Sequence, residues 1–177
     1  LDSSFILCDS SEGRVAQHEF LKGNTIYARY AFRDAWADEN ITKPFTNHFS
    51  LGWNGGVQES LGVYVDEIPF YQIGSTALSS FRLRDLDVGS YRLLCILDSE
   101  NIVAETDEDN NRQTYVFSVI PSTDVKFISE GNELANIKYA TGRAYGKLFV
   151  PEKRLGFEFN GWYSDEYLTK QITETNT

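Results

Sequence analysis

The chain has 177 residues with 26 acids against 16 bases, a net charge of −10, and such a surface disfavours nucleic acid and anionic lipid, both of which need a cationic face. It contains no methionine, so it reads as a processed or excised fragment, and it holds neither a basic, apolar leader nor a run of about 18 apolar residues. Residues 1–120 carry 18 acids and 9 bases while residues 121–177 carry 8 and 7, a step that predicts two modules, 1–120 and 121–177, meeting near Pro121-Ser-Thr-Asp124.

Helical periodicity is nearly absent, and clusters of Gly, Asn, Asp and Ser interrupt the chain about every ten residues, which predicts an all-β sandwich for the first module. Phe5–Cys8 is a short apolar strand. Over 25–33, Ile26, Ala28, Tyr30 and Phe32 alternate with Tyr27, Arg29, Ala31 and Arg33, the pattern of a strand with one face in a core. A polar loop over 34–43 carries Trp36. Residues 44–53 form the next predicted strand, ended by the turn signal Asn54-Gly55-Gly56. Further strands are expected at 61–65 and 76–84, and Asp87-Val-Gly89 turns the chain into Tyr91–Leu97. That last run is apolar on both faces and should be central in its sheet. Asp98–Asn111 is an acidic hairpin leading into a strand over 113–120.

Beyond Pro121 a strand is expected at 125–128, then a polar segment over 130–136, then short apolar pieces separated by Gly142, Gly146, Pro151 and Gly156. Phe157, Phe159, Trp162 and Tyr163 cluster here, and so small a module needs buried aromatic area of that kind. Trp162 and Phe157 are the expected core anchors, with Gly161 turning the chain so that Trp162 can be buried.

Residues 89–119 read Gly-Ser-Tyr-Arg-Leu-Leu-Cys-Ile-Leu-Asp-Ser-Glu-Asn-Ile-Val-Ala-Glu-Thr-Asp-Glu-Asp-Asn-Asn, then Tyr115-Val-Phe-Ser-Val119 after Arg112-Gln-Thr. This resembles the end of CARDB domains, the cell-adhesion-related domain of bacteria, and implies an immunoglobulin-like or fibronectin-like β-sandwich. Residues 125–173 carry Val125-x-Phe127, Tyr139, Gly142-Arg-Ala-Tyr-Gly-Lys-Leu148, Pro151, Arg154-Leu-Gly-Phe157, Phe159-Asn-Gly-Trp-Tyr163 and Ile172-Thr173. They are similar to the Listeria–Bacteroides repeat of internalin-type surface proteins, which implies a small β-grasp-like unit. Such repeats normally add a last strand with an aromatic and a Trp, so this one is expected to be truncated at its C-terminus.

Candidate chemistry is sparse. Asp107-x-Asp109-x-Asn111 mimics the start of a calcium loop, but Arg112 stands where such a loop needs Gly, and no bidentate Glu follows. The favoured reading is a solvated hairpin in which Asn110 and Asn111 bond backbone groups and tolerate unusual φ. Trp36, Phe45, Phe49, Trp53, Tyr64, Phe70 and Tyr71 suit either sugar stacking or a core, with Trp36 the exposed candidate. His18 and His48 have neither a nucleophile nor metal spacing. The acid pairs Asp38/Glu39 and Asp66/Glu67 show no apolar pocket that would raise a pKa. Cys8 and Cys95 read as buried thiols, with a disulfide left open.

No catalytic residue and no cofactor is expected. Both resemblances imply tandem accessory modules of secreted or surface-attached bacterial proteins. The resulting expectation is a non-catalytic extracellular pair that spaces or presents another domain and makes adhesive or protein–protein contacts. The alternative is a carbohydrate-binding accessory domain of a secreted polysaccharide-degrading enzyme.

Overall fold

Alternating apolar residues become strands over about half of the described residues. The computed structural model describes residues 2–33, 44–54, 60–68, 77–103 and 108–177. Among them there is no α-helix, and a 3-10 turn at Glu108–Asn111 is the one helical element. The strands are β1 (Asp2–Cys8), β2 (Glu19–Leu21), β3 (Tyr27–Arg33), β4 (Phe45–Trp53), β5 (Ser60–Ile68), β6 (Ala77–Arg82), β7 (Gly89–Ile96), β8 (Arg112–Ile120), β9 (Ser122–Ser129), β10 (Asn132–Ala140), β11 (Trp162–Tyr163) and β12 (Gln171–Ile172). By internal contacts the chain divides into two units, Leu1–Val119 and Ile120–Thr177.

The first unit is a β-sandwich. One sheet has the order β1-β3-β6 and the other β2-β8-β7-β4-β5, and the pairings of β3 with β1 and β6, and of β7 with β4 and β8, are antiparallel. β7 is the middle strand of its sheet, as its apolar run predicts. Phe49 on β4 shows why the sheets pack. Its ring meets Phe5 of β1 at 6.1 Å, Tyr30 of β3 at 4.8 Å and Phe81 of β6 at 4.8 Å, so one side chain touches every strand of the opposite sheet. Burying a ring of this size contributes roughly 1.5–3 kcal/mol. Leu7, Ala28, Leu51, Leu93 and Phe117 fill the same layer.

The crossing from β6 in one sheet to β7 in the other is held by the Gly89-Ser-Tyr91 element. The buried Tyr91 hydroxyl donates to the backbone oxygen of Asp87 at 2.7 Å, the arrangement of a tyrosine corner. The Trp53 ring stacks on Tyr91 at 4.6 Å and crosses Gly89 so closely that a Cβ there would lie 2.3 Å from Trp53 Cζ3. Glycine is therefore required for that approach.

In the second unit β9 and β10 form an antiparallel pair joined by Glu130 and Gly131, both at positive φ (50° and 79°), which matches a type I′ hairpin turn. The polar segment over 130–136 is thus a turn and most of a strand. Its polarity misleads because the two-stranded sheet leaves the first half of β10 largely exposed, at Asn132, Glu133, Leu134 and Asn136. The ion pairs Lys138–Asp124 and Lys126–Glu133, each 2.8 Å, tie the two strands across the hairpin. β11 and β12 pair separately, Trp162 opposite Ile172. The β-grasp-like expectation is not shown by this arrangement, in which the four strands form two separate two-stranded sheets.

The core of this unit is aromatic: Phe127 meets Trp162 at 4.9 Å, Phe149 at 5.6 Å and Tyr139 at 6.4 Å. Trp162 packs on this core but is half-buried, its indole N–H donating to the Phe149 oxygen at 2.7 Å, and Gly161 takes φ 116° just before it. Phe157 is not a core anchor. It is 67% exposed, with the Arg154 guanidinium 4.8 Å from its ring centroid. Gly156, at φ 81°, turns the chain just before it.

Candidate functional site

The acidic hairpin is built around Asp98 rather than around the paired asparagines. Asp98 is buried at φ 43°. Its carboxylate accepts the N–H groups of Ile102 at 3.0 Å and Val103 at 2.7 Å, and its carbonyl accepts that of Asn101 at 2.8 Å. This local capture folds the chain back on itself, a role suited to a short acidic side chain. The loop is pinned to β4 as well. Ser99 donates to the Thr46 oxygen from its N–H at 2.8 Å and its hydroxyl at 3.0 Å, and Asn47 Oδ1 accepts the Asp98 N–H at 3.2 Å.

The positive φ angles fall at Asp98 and Asn101, not at Asn110 or Asn111. Asn111 is buried and its backbone oxygen accepts the Leu97 N–H at 2.9 Å, closing the hairpin, while Asn110 is exposed. Of the calcium candidates, Asp107 lies outside the described residues, Asp109 is exposed and Asn111 is buried in the hairpin base. Among the described residues no three His, Cys, Asp or Glu side chains group as a metal site requires.

Asn47 was not singled out by sequence reasoning. Its side chain is fully buried, and its Nδ2 has no partner among the described residues. A polar residue at an inward position between Phe45 and Phe49 was the available signal.

The aromatic series resolves toward packing. Phe45 and Phe49 are core residues, Trp53 lies on Tyr91, and Tyr64 stacks on Phe81 at 4.6 Å while its hydroxyl accepts the Arg84 N–H at 2.8 Å. Trp36, Phe70 and Tyr71 lie outside the described residues, as do Asp38 and Glu39. Asp66 and Glu67 belong to β5 and not to a loop.

His18 packs flat on Tyr115, ring centroids 4.6 Å apart, with Nδ1 3.0 Å from the Val116 oxygen and Nε2 3.2 Å from the Tyr115 hydroxyl. His48 lies in β4 opposite Val65 and Ile96. Both cysteines are buried free thiols. Burial pushes the Cys95 thiol up to about 12, which removes the thiolate needed for reactivity.

The second unit holds an open aromatic cavity of about 430 Å³ lined by Phe149, Val150, Phe159, Trp162, Ile172 and Glu174 among others. Phe159 meets Trp162 at 5.3 Å with the rings inclined by 61°.

No family model matches the chain, and no curated protein matches it. Among solved structures it is similar to the CARDB domain of a Pyrococcus furiosus protein in complex with di-metal ions, at 15% identity over 68% of this chain and 94% of that one, TM-score 0.47. The solution structure of that domain gives 15% identity over 67% and 94%, TM-score 0.42. A β-glucosidase from Listeria innocua in complex with glucose gives 12% identity over 66% of this chain, TM-score 0.43, and the matched part spans 16% of that enzyme.

Proposed function

We propose that this chain is a non-catalytic module pair of a larger secreted or surface-attached protein, a CARDB-like sandwich followed by a Listeria–Bacteroides-repeat-like unit, acting by spacing and by adhesive or protein–protein contact. The observation that carries the reading is the apolar display on the second unit. Leu155 is fully exposed, and Phe157, Tyr167, Val150 and Leu168 are each about two-thirds exposed or more. Apolar side chains that a small unit leaves exposed are available to a partner's apolar surface. The first unit supports the spacer half of the reading, because its ionisable and amide groups at the hairpin serve the backbone and its rings fill the interior.

The partner in this reading is a protein on a cell surface or in its matrix, and no cofactor is required. The test is binding of the labelled chain to intact cells and to a glycan array, beside the double variant Leu155→Ser, Phe157→Ser. Protease-sensitive binding to cells, weakened in the variant and accompanied by silence across the array, is the expected result. Sugar-specific binding that the variant retains would replace this reading with the carbohydrate-binding accessory domain. Turnover on a hydrolase panel would remove the non-catalytic assignment.

A further inference from the structure

The aromatic cavity of the second unit includes one acidic residue, Glu174, among its lining. Its floor and walls are Phe149, Phe159, Trp162 and Ile172. Trp162 spends its one N–H on Phe149, so the indole offers a ligand ring surface and no donor. Thr173 donates its hydroxyl to Asn176 Oδ1 at 3.0 Å, and the Thr175 hydroxyl lies 2.9 Å from that of Thr173. With the Thr173 proton committed to Asn176, Thr175 donates to Thr173, so the lip presents acceptor oxygens.

Glu174 stands between these threonines among the lining residues, exposed, and its carboxylate makes no ion pair or hydrogen bond among the described residues. Its backbone oxygen, by contrast, is occupied, accepting the Gly146 N–H at 2.8 Å. The Glu174 carboxylate and the acceptor hydroxyls share this lining with the aromatic rings, which makes a site whose polarity has one sign. Ring faces attract a cation through their quadrupole, and a carboxylate attracts it through charge. An aliphatic stem ending in an ammonium satisfies both the apolar walls and the anionic lip.

We infer that this cavity receives a lysine side chain of a protein partner. The inference rests on the protein-contact reading above and specifies the chemistry of one contact within it. It is distinct from the Leu155 and Phe157 display, which lies outside the cavity lining.

The test is an NMR titration of the ¹⁵N-labelled 177-residue chain with N-acetyl-lysine methylamide and with its neutral counterpart N-acetyl-norleucine methylamide, and then with methyl glucoside. The expected result is saturable shifts from the lysine probe at 148–150, 159–162 and 172–175, the chain positions that line the cavity. Glu174→Gln should weaken them about fivefold, the scale of one solvent-exposed ion pair. Phe159→Ala should weaken them through the ring wall while the shifts elsewhere in the spectrum stay those of a folded protein. Equal shifts from norleucine, shifts indifferent to Glu174→Gln, or shifts from the glucoside alone would each overturn the lysine assignment. Loss of the lysine site with cell binding intact would defeat this inference and leave the contact reading standing.

Discussion

Tyr91 and Gly89 carry the sheet-to-sheet crossing on two local devices, one polar and one steric. Removing the Tyr91 hydroxyl leaves the Asp87 carbonyl without its 2.7 Å donor. Tyr91→Phe is therefore expected to cost about 1–2 kcal/mol in urea unfolding. Gly89→Ala places a Cβ where the Trp53 ring now lies, and since Trp53 is also stacked on Tyr91, the ring cannot withdraw freely. A loss of about 1–3 kcal/mol is expected for this overpacking, with a change in Trp53 fluorescence. The motif Gly-x-Tyr was legible in the sequence as a signature, but its physical content required the position of Trp53, which is 36 residues away from Gly89 in the chain.

The cysteines make a second prediction at this scale. With both thiols buried and Cys95 held up near 12 by desolvation, a thiol reagent at neutral pH should label Cys95 only through unfolding. Labelling that follows the unfolding rate measured in urea is the expected outcome; rapid labelling of native protein would contradict the buried placement.

At the level of elements, the acidic hairpin separates charges that hold structure from charges that remain in solvent. Asp98→Ala removes the acceptor for two backbone N–H groups and places alanine at φ 43°. A loss of about 2–3 kcal/mol is expected in urea unfolding. Glu100→Gln, at an exposed position of the same hairpin, should stay within about 0.5 kcal/mol. Addition of millimolar calcium should leave the unfolding midpoint of both proteins unmoved, and a calcium-dependent rise would reinstate an ion site there.

Two carboxylates make acid stability readable at the element scale as well. The Lys22 ammonium, 2.6 Å away, holds Asp87 below its ordinary value of 3.8. Around Asp165 desolvation pushes the carboxyl up, but the N–H groups of Thr169, Lys170 and Tyr167 and the Thr169 hydroxyl outweigh it and hold the group below that value. A carboxylate depressed in the folded state stabilises above its unfolded pKa, and the stabilisation is lost as pH falls through the folded value. Stability should therefore decline as pH drops below about 4, the ordinary carboxylate range. The decline should be shallower in Asp87→Asn and Asp165→Asn, as measured by urea midpoints across pH 5 to 2.

At the scale of the whole molecule, each unit has its own aromatic centre, Phe49 in the first and Phe127 with Trp162 in the second. Trp162→Ala should cost about 3–5 kcal/mol and abolish the second unit's transition in calorimetry while the first persists. A single transition, shifted as a whole, would mean that the units unfold together. The second unit has the thinner margin, because a small unit buries a smaller share of its surface.

Much of the sandwich was written in local pattern. The alternation over 25–33 and the doubly apolar run from Tyr91 needed only their neighbours to be read, because a strand's two faces repeat every second residue, while Gly55 and Gly56 of the Asn54-Gly55-Gly56 turn signal lie outside the described residues. The short strands β2, β11 and β12 and the polar β10 have too few buried positions for that pattern to show, and their pairing depends on partners elsewhere in the chain. Site assignments divide in the same way. Composition was enough to disfavour nucleic acid, and the acid count marked the hairpin as unusual. That Asp98 rather than Asn110 shapes it, that Phe157 faces solvent, and that Glu174 shares the lining of an aromatic cavity are consequences of three-dimensional proximity. Burial and partnership belong to atoms brought together by folding, and a linear pattern records only what each residue is able to do.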